Sequence, residues 1–410
     1  MKSEVVTLEK SKKSVLNFMI DVLIFAYTIS IFIMSYVESL NKYSKILALA
    51  LMGLLAVYVL IKGTIKINSA VLCLSGFTAW GLLSYVWAPD KEAVTSKAFT
   101  LLQLLVLFWL LYIYLSKEDK VETLILALCV SGIVFAAYVL LTNGLSAYVE
   151  GLNDGLRMGV DELNFNTIGL ATATSALISF WYAFYKKQYY FLVFAAISIF
   201  VAFGTGSRKV IAMLVIGIVL MFILKGNSKK KIISILECVL VLLVLYAVLQ
   251  LPIFETINAR FDSMLNAFIG GGKTDGSTRT RLRMITIGWE QFLKTPLQGL
   301  GFGNSHVITQ EYLGVDTYLH NNYIELLACV GIIGFVLYYA MYLIPLKKLI
   351  VPSFKGDGLA ILAMVVSVID LILQFGYVNY SSKETYIHIL IFILVAERMG
   401  KKNEQNIKGN

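Results

Sequence analysis

Long apolar runs recur along the whole chain and are separated by short polar segments. Crossing about 30 Å of hydrocarbon takes about 20 consecutive apolar residues in a helix, and many of these runs are long enough. We therefore predict about twelve transmembrane helices, at residues 15–36, 44–62, 68–88, 97–116, 121–142, 167–185, 189–204, 209–224, 232–251, 321–345, 358–376 and 385–397. The predicted fold is an all-α polytopic integral membrane protein.

Composition supports a membrane protein and argues against a soluble protein and a nucleic-acid-binding protein. Apolar residues make up 58% of the 410 residues and charged residues only 15%, whereas soluble chains contain about 25% charged residues. The mean hydropathy of +0.76 is that of a membrane protein. The net charge of +9 does not indicate nucleic-acid binding, because the basic residues form short clusters between apolar runs, as topology signals do.

Lysine is unevenly divided between the two predicted sides of the membrane. The positive-inside rule places the lysine-rich segments, and with them both termini, in the cytoplasm. This topology divides the chain into an N-terminal bundle of about nine helices (1–251), a large extracytoplasmic loop (252–320), C-terminal transmembrane helices (321–397) and a cytoplasmic tail (398–410). A second long outer segment, at 142–166, precedes the large loop. Long loops on compact scaffolds are usually functional or disordered.

The large loop contains an amphipathic helix signal that begins near Asp275, Ser277 or Thr278 and ends before Pro296. At 100° per residue its apolar face contains Leu282, Ile285, Trp289, Phe292 and Leu293. The opposite face contains Arg279, Arg283, Thr286, Glu290 and Lys294. We predict that the apolar face packs on the membrane domain, with Arg281 directed inward and Arg279 and Arg283 toward water. The alternative is an interfacial helix whose arginines contact lipid headgroups.

Uncommon polar residues collect at the predicted outer ends of the helices: Arg157, Asn164, Asn166, Arg208, Arg281, His320, Asn321, Asn322 and Tyr323. The planar donor fork of arginine fits phosphate oxygens and stays charged when partly desolvated, so an arginine-lined cavity suggests an anionic ligand. His320 begins the tenth predicted helix, with Asn321 or Asn322 as its N-cap. A helix N-terminus favours the neutral imidazole, which can accept a proton. For each residue alone, a headgroup contact or an interfacial hydrogen bond is the structural alternative.

Other polar residues in the apolar runs carry weaker signals. Asp21, Glu237, Glu325 and Asp370 lie inside predicted spans, where an acid is either functional or paired with another helix. His306 and His388 belong to no motif. The four cysteines lack CxxC spacing and are expected to be apolar fillers. The glycines at 299, 301 and 303 follow no strand, so we predict a tight turn rather than a dinucleotide site.

Several of these segments together resemble the Wzy/WaaL superfamily of O-antigen polymerases, O-antigen ligases and capsule and exopolysaccharide polymerases. The matching segments are Arg281 to Trp289, PLQGLGFGN at 296–304, HNNYIEL at 320–326 and GIIG at 331–334. Upstream, Gly206–Arg208 is similar to the family's SR element, and Arg157 with Asn164–Asn166 to its R…N element. The resemblance covers roughly residues 157–340. The family's tryptophan four residues after the motif arginine is Ile285 here, which leaves Arg281 and Arg283 both as candidates.

The resemblance implies a metal-independent, cofactor-free glycosyltransferase of the GT-C-like class at the outer face of the bacterial cytoplasmic membrane. Its donor would be an oligosaccharide on undecaprenyl pyrophosphate, and its pathway partners a flippase and a chain-length regulator; no nucleic acid is expected. Arg208 and Arg281 would stabilise the leaving pyrophosphate, and His320 would act as the base. The substrate-binding residues would be Arg157, Asn164, Asn166, Arg279, Arg283, Asn321 and Tyr323.

We favour a polymerase, because nothing in the sequence indicates a lipid A-core acceptor. A ligase that transfers the glycan to lipid A-core is the alternative within the superfamily. A transporter of lipid-linked or anionic sugars is the rival from another class. Transporters usually show two similar halves, and no half-repeat is evident in this sequence.

Overall fold

The apolar runs of the sequence form helices. A computed structural model of the chain describes residues 2–408 except 36, 161–162, 226–230 and 256–275. In these ranges the helices are α1 Lys2–Ile33, α2 Glu38–Lys62, α3 Ser69–Leu83, α4 Lys91–Glu118, α5 Val121–Asn143, α6 Leu145–Asn153, α7 Phe165–Tyr185, α8 Phe191–Gly204, α9 Arg208–Leu224, α10 Lys231–Leu249, α11 Gly276–Lys294, α12 Ser305–Leu313, α13 Asn322–Phe354, α14 Gly358–Leu373 and α15 Lys383–Lys408.

The all-α polytopic membrane fold is confirmed. In the described part of the chain, eight helical segments are long and apolar enough to cross a bilayer: Val15–Ile33, Ser39–Lys62, Ser69–Val86, Lys91–Glu118, Val121–Asn143, Phe165–Tyr185, Lys231–Leu249 and Asn322–Phe354. The apolar helices α8 and α14 are shorter than these. The remaining two predicted spans are also helical, as α9 and the first part of α15. The predicted N-cap Asp275 lies outside the described residues.

The chain forms two compact units, each built from separate stretches of sequence. Unit 1 contains residues 1–65, 110–264 and 354–362, and unit 2 contains residues 66–109, 265–353 and 363–410. The linear division into bundle, loop and tail stays a prediction.

Unit 1 packs around α5 and α7. Helix α1 contacts α2 and α5, and α7 contacts α5, α8 and α9. Small residues let α5 and α7 approach closely, and there the Ser175 hydroxyl donates to the Cys129 carbonyl at 2.7 Å. Such contacts between small residues are typical of helix packing in membranes.

Unit 2 has an aromatic core and a smaller apolar cluster under α11. The Phe77 ring packs edge-on against Phe302 and Tyr380, and it also contacts Tyr338. The second cluster consists of Met284, Ile287, Ile308, Leu319 and Ala328. It fixes α11 and α12 against the start of α13, the region that contains the predicted base.

The four acids that the sequence singled out, Asp21, Glu237, Glu325 and Asp370, all have partners inside their own unit. Lys120 binds Asp21 at 2.6 Å, and Lys225 pairs with Glu237. His388 Nδ1 lies 3.0 Å from Asp370. Glu325 accepts hydrogen bonds from Ser305 and from the Leu319 backbone. Pairing, one of the two interpretations of these acids, therefore accounts for the buried Glu325 and Asp370 and for the half-buried Asp21 and Glu237.

Candidate functional site

One end of α7 and α9 in unit 1 brings together the upstream polar motifs. Asn164 caps α7, and its side chain accepts a hydrogen bond from Asn166 N. The Ser207 hydroxyl donates to Asn166 Oδ1 at 2.8 Å, and Arg208 begins α9 directly after it. The two short motifs, about forty residues apart, are thus one structural feature.

Arg157 is positioned on the same end of unit 1 by its neighbours. Its Nε donates to the Thr205 carbonyl at 2.7 Å, and its guanidinium lies 4.4 Å from the centroid of the Phe165 ring. Thr205 lies just before the Ser207–Arg208 pair. Unit 1 therefore places the Arg157 guanidinium and two asparagine side chains beside the start of α9, where Arg208 lies. Such residues are suited to binding an oxyanion.

Helix α11 in unit 2 separates its three arginines as predicted, but packs through a different face. Arg279 and Arg283 are exposed, whereas Arg281 is partly buried. The side chains that pack on the core are Met284 and Ile287, with Gln291 also buried. Most of the predicted apolar face does not pack on the core: Leu282, Trp289 and Leu293 are 55%, 45% and 60% exposed, and only Ile285 and Phe292 are half-buried. That part of the prediction is wrong, because α11 has apolar side chains on two faces.

His320 has a left-handed backbone with φ of 55°, a conformation that is uncommon for residues other than glycine. Its ring packs against Tyr318 with centroids 4.1 Å apart. Burial raises the pKa of Tyr318, while the positive charge of Arg281 acts in the opposite direction. Leu319, the residue before His320, packs with Met284 and Ile287 of α11, so unit 2 brings the helix of Arg281 and the loop of His320 into one neighbourhood.

The residues after His320 use their polar atoms inside unit 2. Asn321 Oδ1 caps α13 at Ile324 N, and its Nδ2 donates to the Phe375 carbonyl. The Tyr323 hydroxyl donates to the Leu371 carbonyl at 2.7 Å. These contacts favour an anchoring role, and the substrate contacts of Asn321 and Tyr323 stay a prediction.

Asn322 is fully buried and has the most partners in this motif. Its Nδ2 donates to Tyr339 Oη and Gln374 Oε1, and its Oδ1 accepts from the backbone N–H groups of Asn379 and Tyr380. The hydrogen bonds satisfy the buried amide and tie the start of α13 to the segment after α14.

The glycine-rich turn at residues 296–301 is hydrogen-bonded through its backbone to residues 328–332 of α13. We call this structure the glycine junction. Helix α13 is broken at Gly331, which has φ 63° and ψ −170°. The carbonyls of Ala328 and Cys329, freed by the break, accept from Leu300 N and Gly301 N, each at 2.8 Å. Ile332 N donates to the Pro296 carbonyl at 2.9 Å. The predicted tight turn thus satisfies the backbone of a broken helix.

Glu325 is a further candidate, as a residue that supports the site. Its buried carboxylate accepts from the Ser305 hydroxyl at 2.5 Å and from Leu319 N at 2.9 Å. Leu319 immediately precedes His320, so Glu325 fixes the loop that presents the imidazole. The sequence shows only an acid one turn into an apolar helix, which does not identify this partner.

His306 lies in the same unit beside an acid. Its Nε2 is 3.0 Å from Asp90 Oδ2, and its Nδ1 lies 3.1 Å from the Gly303 carbonyl. Hydrogen bonds from the backbone of Ala93 and Glu92 hold the pKa of Asp90 below its usual range. This pair joins the end of the glycine-rich turn to the start of α4.

Among the described residues, no group of three or more His, Cys, Asp or Glu side chains could hold a metal ion.

The predicted site residues thus fall into two groups. Unit 1 contains Arg157, Asn164, Asn166 and Arg208, and unit 2 contains the residues from α11 and the His320 segment.

Residues 191–339 match a protein family, Wzy_C, described as O-antigen ligase. No curated protein matches the chain. The matched range contains Arg208, Arg281 and His320, whereas Arg157, Asn164 and Asn166 precede it.

Proposed function

We propose that this membrane protein, which has an O-antigen ligase domain at residues 191–339 consistent with the Wzy/WaaL superfamily, is a polysaccharide polymerase. It joins oligosaccharide repeats linked to undecaprenyl pyrophosphate at the outer face of the cytoplasmic membrane. The observation that carries the proposal is the packing of α11, the helix that contains Arg281, against the loop of Tyr318 and His320 in unit 2. It combines a cation and a proton acceptor at the start of a helix.

In the proposed reaction a hydroxyl of the acceptor sugar attacks the anomeric carbon of the donor. The new glycosidic C–O bond forms as the bond from that carbon to the phosphate oxygen breaks, and the lipid pyrophosphate leaves with the electron pair. His320 takes the hydroxyl proton. Arg281 stabilises the charge that develops on the pyrophosphate, the role that the family resemblance also implies for Arg208.

The anchoring contacts support this assignment of roles. The hydrogen bonds of Asn321, Asn322 and Glu325 hold the backbone on both sides of His320. A base held by its surroundings is preorganised for proton transfer, and such preorganisation contributes strongly to catalysis. Arg157 and Asn166 would hold donor phosphate or sugar oxygens beside Arg208.

The test is polymer formation by purified protein on lipid-linked repeats, without any ion gradient. Arg281→Ala should lower the rate by roughly 10²-fold or more, since a charge-assisted contact in the transition state is lost. Arg279→Ala, two residues away on the exposed surface, is the matched control and should have a mild effect. Essential Arg279 with dispensable Arg281 would contradict the proposed roles.

Acceptor choice distinguishes the alternatives. A polymerase forms longer chains from repeats alone, whereas a ligase forms product only when lipid A-core is added. A transporter forms no glycosidic bond with either acceptor.

A second experiment tests His320 as the base. His320→Gln should lower turnover nearly as much as His320→Ala, because the amide can form hydrogen bonds but cannot take the proton. A near-normal rate for His320→Gln would remove His320 from the chemistry.

A further inference from the structure

Helix α11 has an exposed apolar surface that the fold does not use. Leu282, Trp289 and Leu293 lie on one line of the helix at 100° per residue, and Leu297, 61% exposed, follows just beyond its end. We call these four residues the outer stripe. The opposite face of α11 supplies Met284 and Ile287 to the core of unit 2. An exposed apolar patch of this kind usually marks an interaction surface.

The outer stripe continues into the exposed surface of a membrane-spanning helix. At the glycine junction, Ile332 N is hydrogen-bonded to the Pro296 carbonyl, next to Leu297. On α13 the side chains of Ile332, Ile333 and Val336 are 37%, 38% and 57% exposed. Exposed apolar side chains of a spanning helix contact lipid chains, so the outer stripe begins beside a lipid-facing surface.

The depth of the glycine junction follows from the length of the hydrocarbon core. Lys347 and Lys348 mark one border of the apolar part of α13. A core of about 30 Å takes about 20 residues, which counted back from Lys347 ends near Ala328. We therefore expect the junction, and with it the end of α11 at Lys294, near the opposite border of the hydrocarbon.

The charge next to the outer stripe fits a bilayer surface. Arg279, Arg283 and Lys294 are exposed on the adjoining side of α11, and Glu290 is the acid among them. Leucine and tryptophan on one face with basic residues beside them are typical of helices that lie in a membrane interface and bind anionic lipids. We propose that α11 lies in the bilayer interface, with the outer stripe among the acyl chains and Arg279 and Arg283 at anionic headgroups.

Fluorescence of Trp289 tests the position of the stripe. The full chain is reconstituted in phosphatidylglycerol vesicles with phosphatidylcholine brominated at either a shallow or a deep acyl position. Subtracting the emission of Trp289→Phe, which keeps an apolar ring, isolates Trp289 from the other four tryptophans. Shallow bromines should quench this difference emission more strongly than deep ones, and aqueous iodide should quench it little. Strong iodide quenching would overturn the proposal, and so would the absence of quenching by all three agents.

Cysteine labelling gives an independent readout with a matched pair. Leu293→Cys on the stripe and Glu290→Cys on the polar side are compared in a Cys73→Ser background, since the other cysteines are buried. A thiol among acyl chains forms less thiolate, so a water-soluble maleimide should label Leu293→Cys about tenfold more slowly in these vesicles. Equal labelling rates would contradict the proposal, as would disulfide-linked dimers of Leu293→Cys. The result does not depend on the proposed enzymatic function.

Discussion

Replacing Gly331 by alanine should disrupt the glycine junction. A Cβ at this position would lie 2.3 Å from the Leu297 carbonyl oxygen and 2.5 Å from its carbon. Both are backbone atoms, so no side-chain rotation can relieve the clash. The conformation itself, φ 63° and ψ −170°, belongs to a region that is essentially restricted to glycine and costs other residues about 1–3 kcal/mol.

The total loss of stability in Gly331→Ala follows from the hydrogen bonds between the turn at residues 296–301 and α13. If residues 296–301 move away from α13, three backbone hydrogen bonds of 2.8, 2.8 and 2.9 Å are lost, at about 1 kcal/mol each. With about 2 kcal/mol of backbone strain, the variant should lose about 5 kcal/mol of stability. At about 2–4 °C per kcal/mol, its melting temperature should fall by roughly 10 °C or more.

Tryptophan fluorescence during thermal unfolding in detergent is a suitable assay. Trp80 Nε1 donates to the Val330 carbonyl and Trp87 Nε1 to the Gly299 carbonyl, so both indoles report on the junction. The control is Gly53→Ala in α2, where an added Cβ meets nothing within 4 Å and alanine favours the helix. Equal melting temperatures for the Gly331→Ala and Gly53→Ala variants would refute the steric argument.

Three further substitutions test the hydrogen bonds of unit 2. Asn322→Ala removes four hydrogen bonds and leaves the buried N–H groups of Asn379 and Tyr380 without an acceptor, while Tyr339 and Gln374 still pair with each other. It should cost about 3 kcal/mol or more, measured by thermal unfolding; an unchanged melting temperature would contradict this network. Tyr323→Phe loses the hydrogen bond to Leu371 but keeps the stacking on Tyr339, so polymer formation should stay within about threefold of wild type; a large loss would instead indicate substrate binding. Asp370→Ala should destabilise the protein far more than Asp154→Ala, an exposed acid, because it leaves His388 buried without its partner. Comparable stability of the two variants would argue against a buried pair.

Hydrophobic patterning predicted the spanning helices well because a bilayer imposes one long apolar run per helix. It missed α6 and α12, which have nine residues each, too short for a strong periodic signal. It also chose the wrong packing face of α11. The exposed stripe contains the larger apolar side chains, and a helix beside lipid has apolar residues on faces that do not pack on protein. Hydrophobicity alone does not distinguish a helix face that contacts lipid from one that packs on protein.

Partners across the chain could not be predicted from one sequence. Asp21 and Lys120 are 99 residues apart, and Asp370 and His388 are 18 apart. An acid in an apolar run indicates that some partner exists, because burial of an unpaired charge is costly. Its identity depends on which helices pack together, and neither spacing nor composition contains that information.

Motif residues that follow one another in the sequence have different physical tasks in the structure. Asn322 is fully buried and joins α13 to the segment after α14, while Tyr323 packs on Tyr339. His320 instead lies partly exposed on a left-handed backbone beside Tyr318. A resemblance to a family marks all of these positions equally, because loss of either an anchor or a base abolishes activity. Stability measured beside turnover separates them: an anchor changes both quantities, whereas a base changes turnover at nearly constant melting temperature. On this argument, His320 and Arg281 should be the residues of unit 2 whose replacement affects turnover alone.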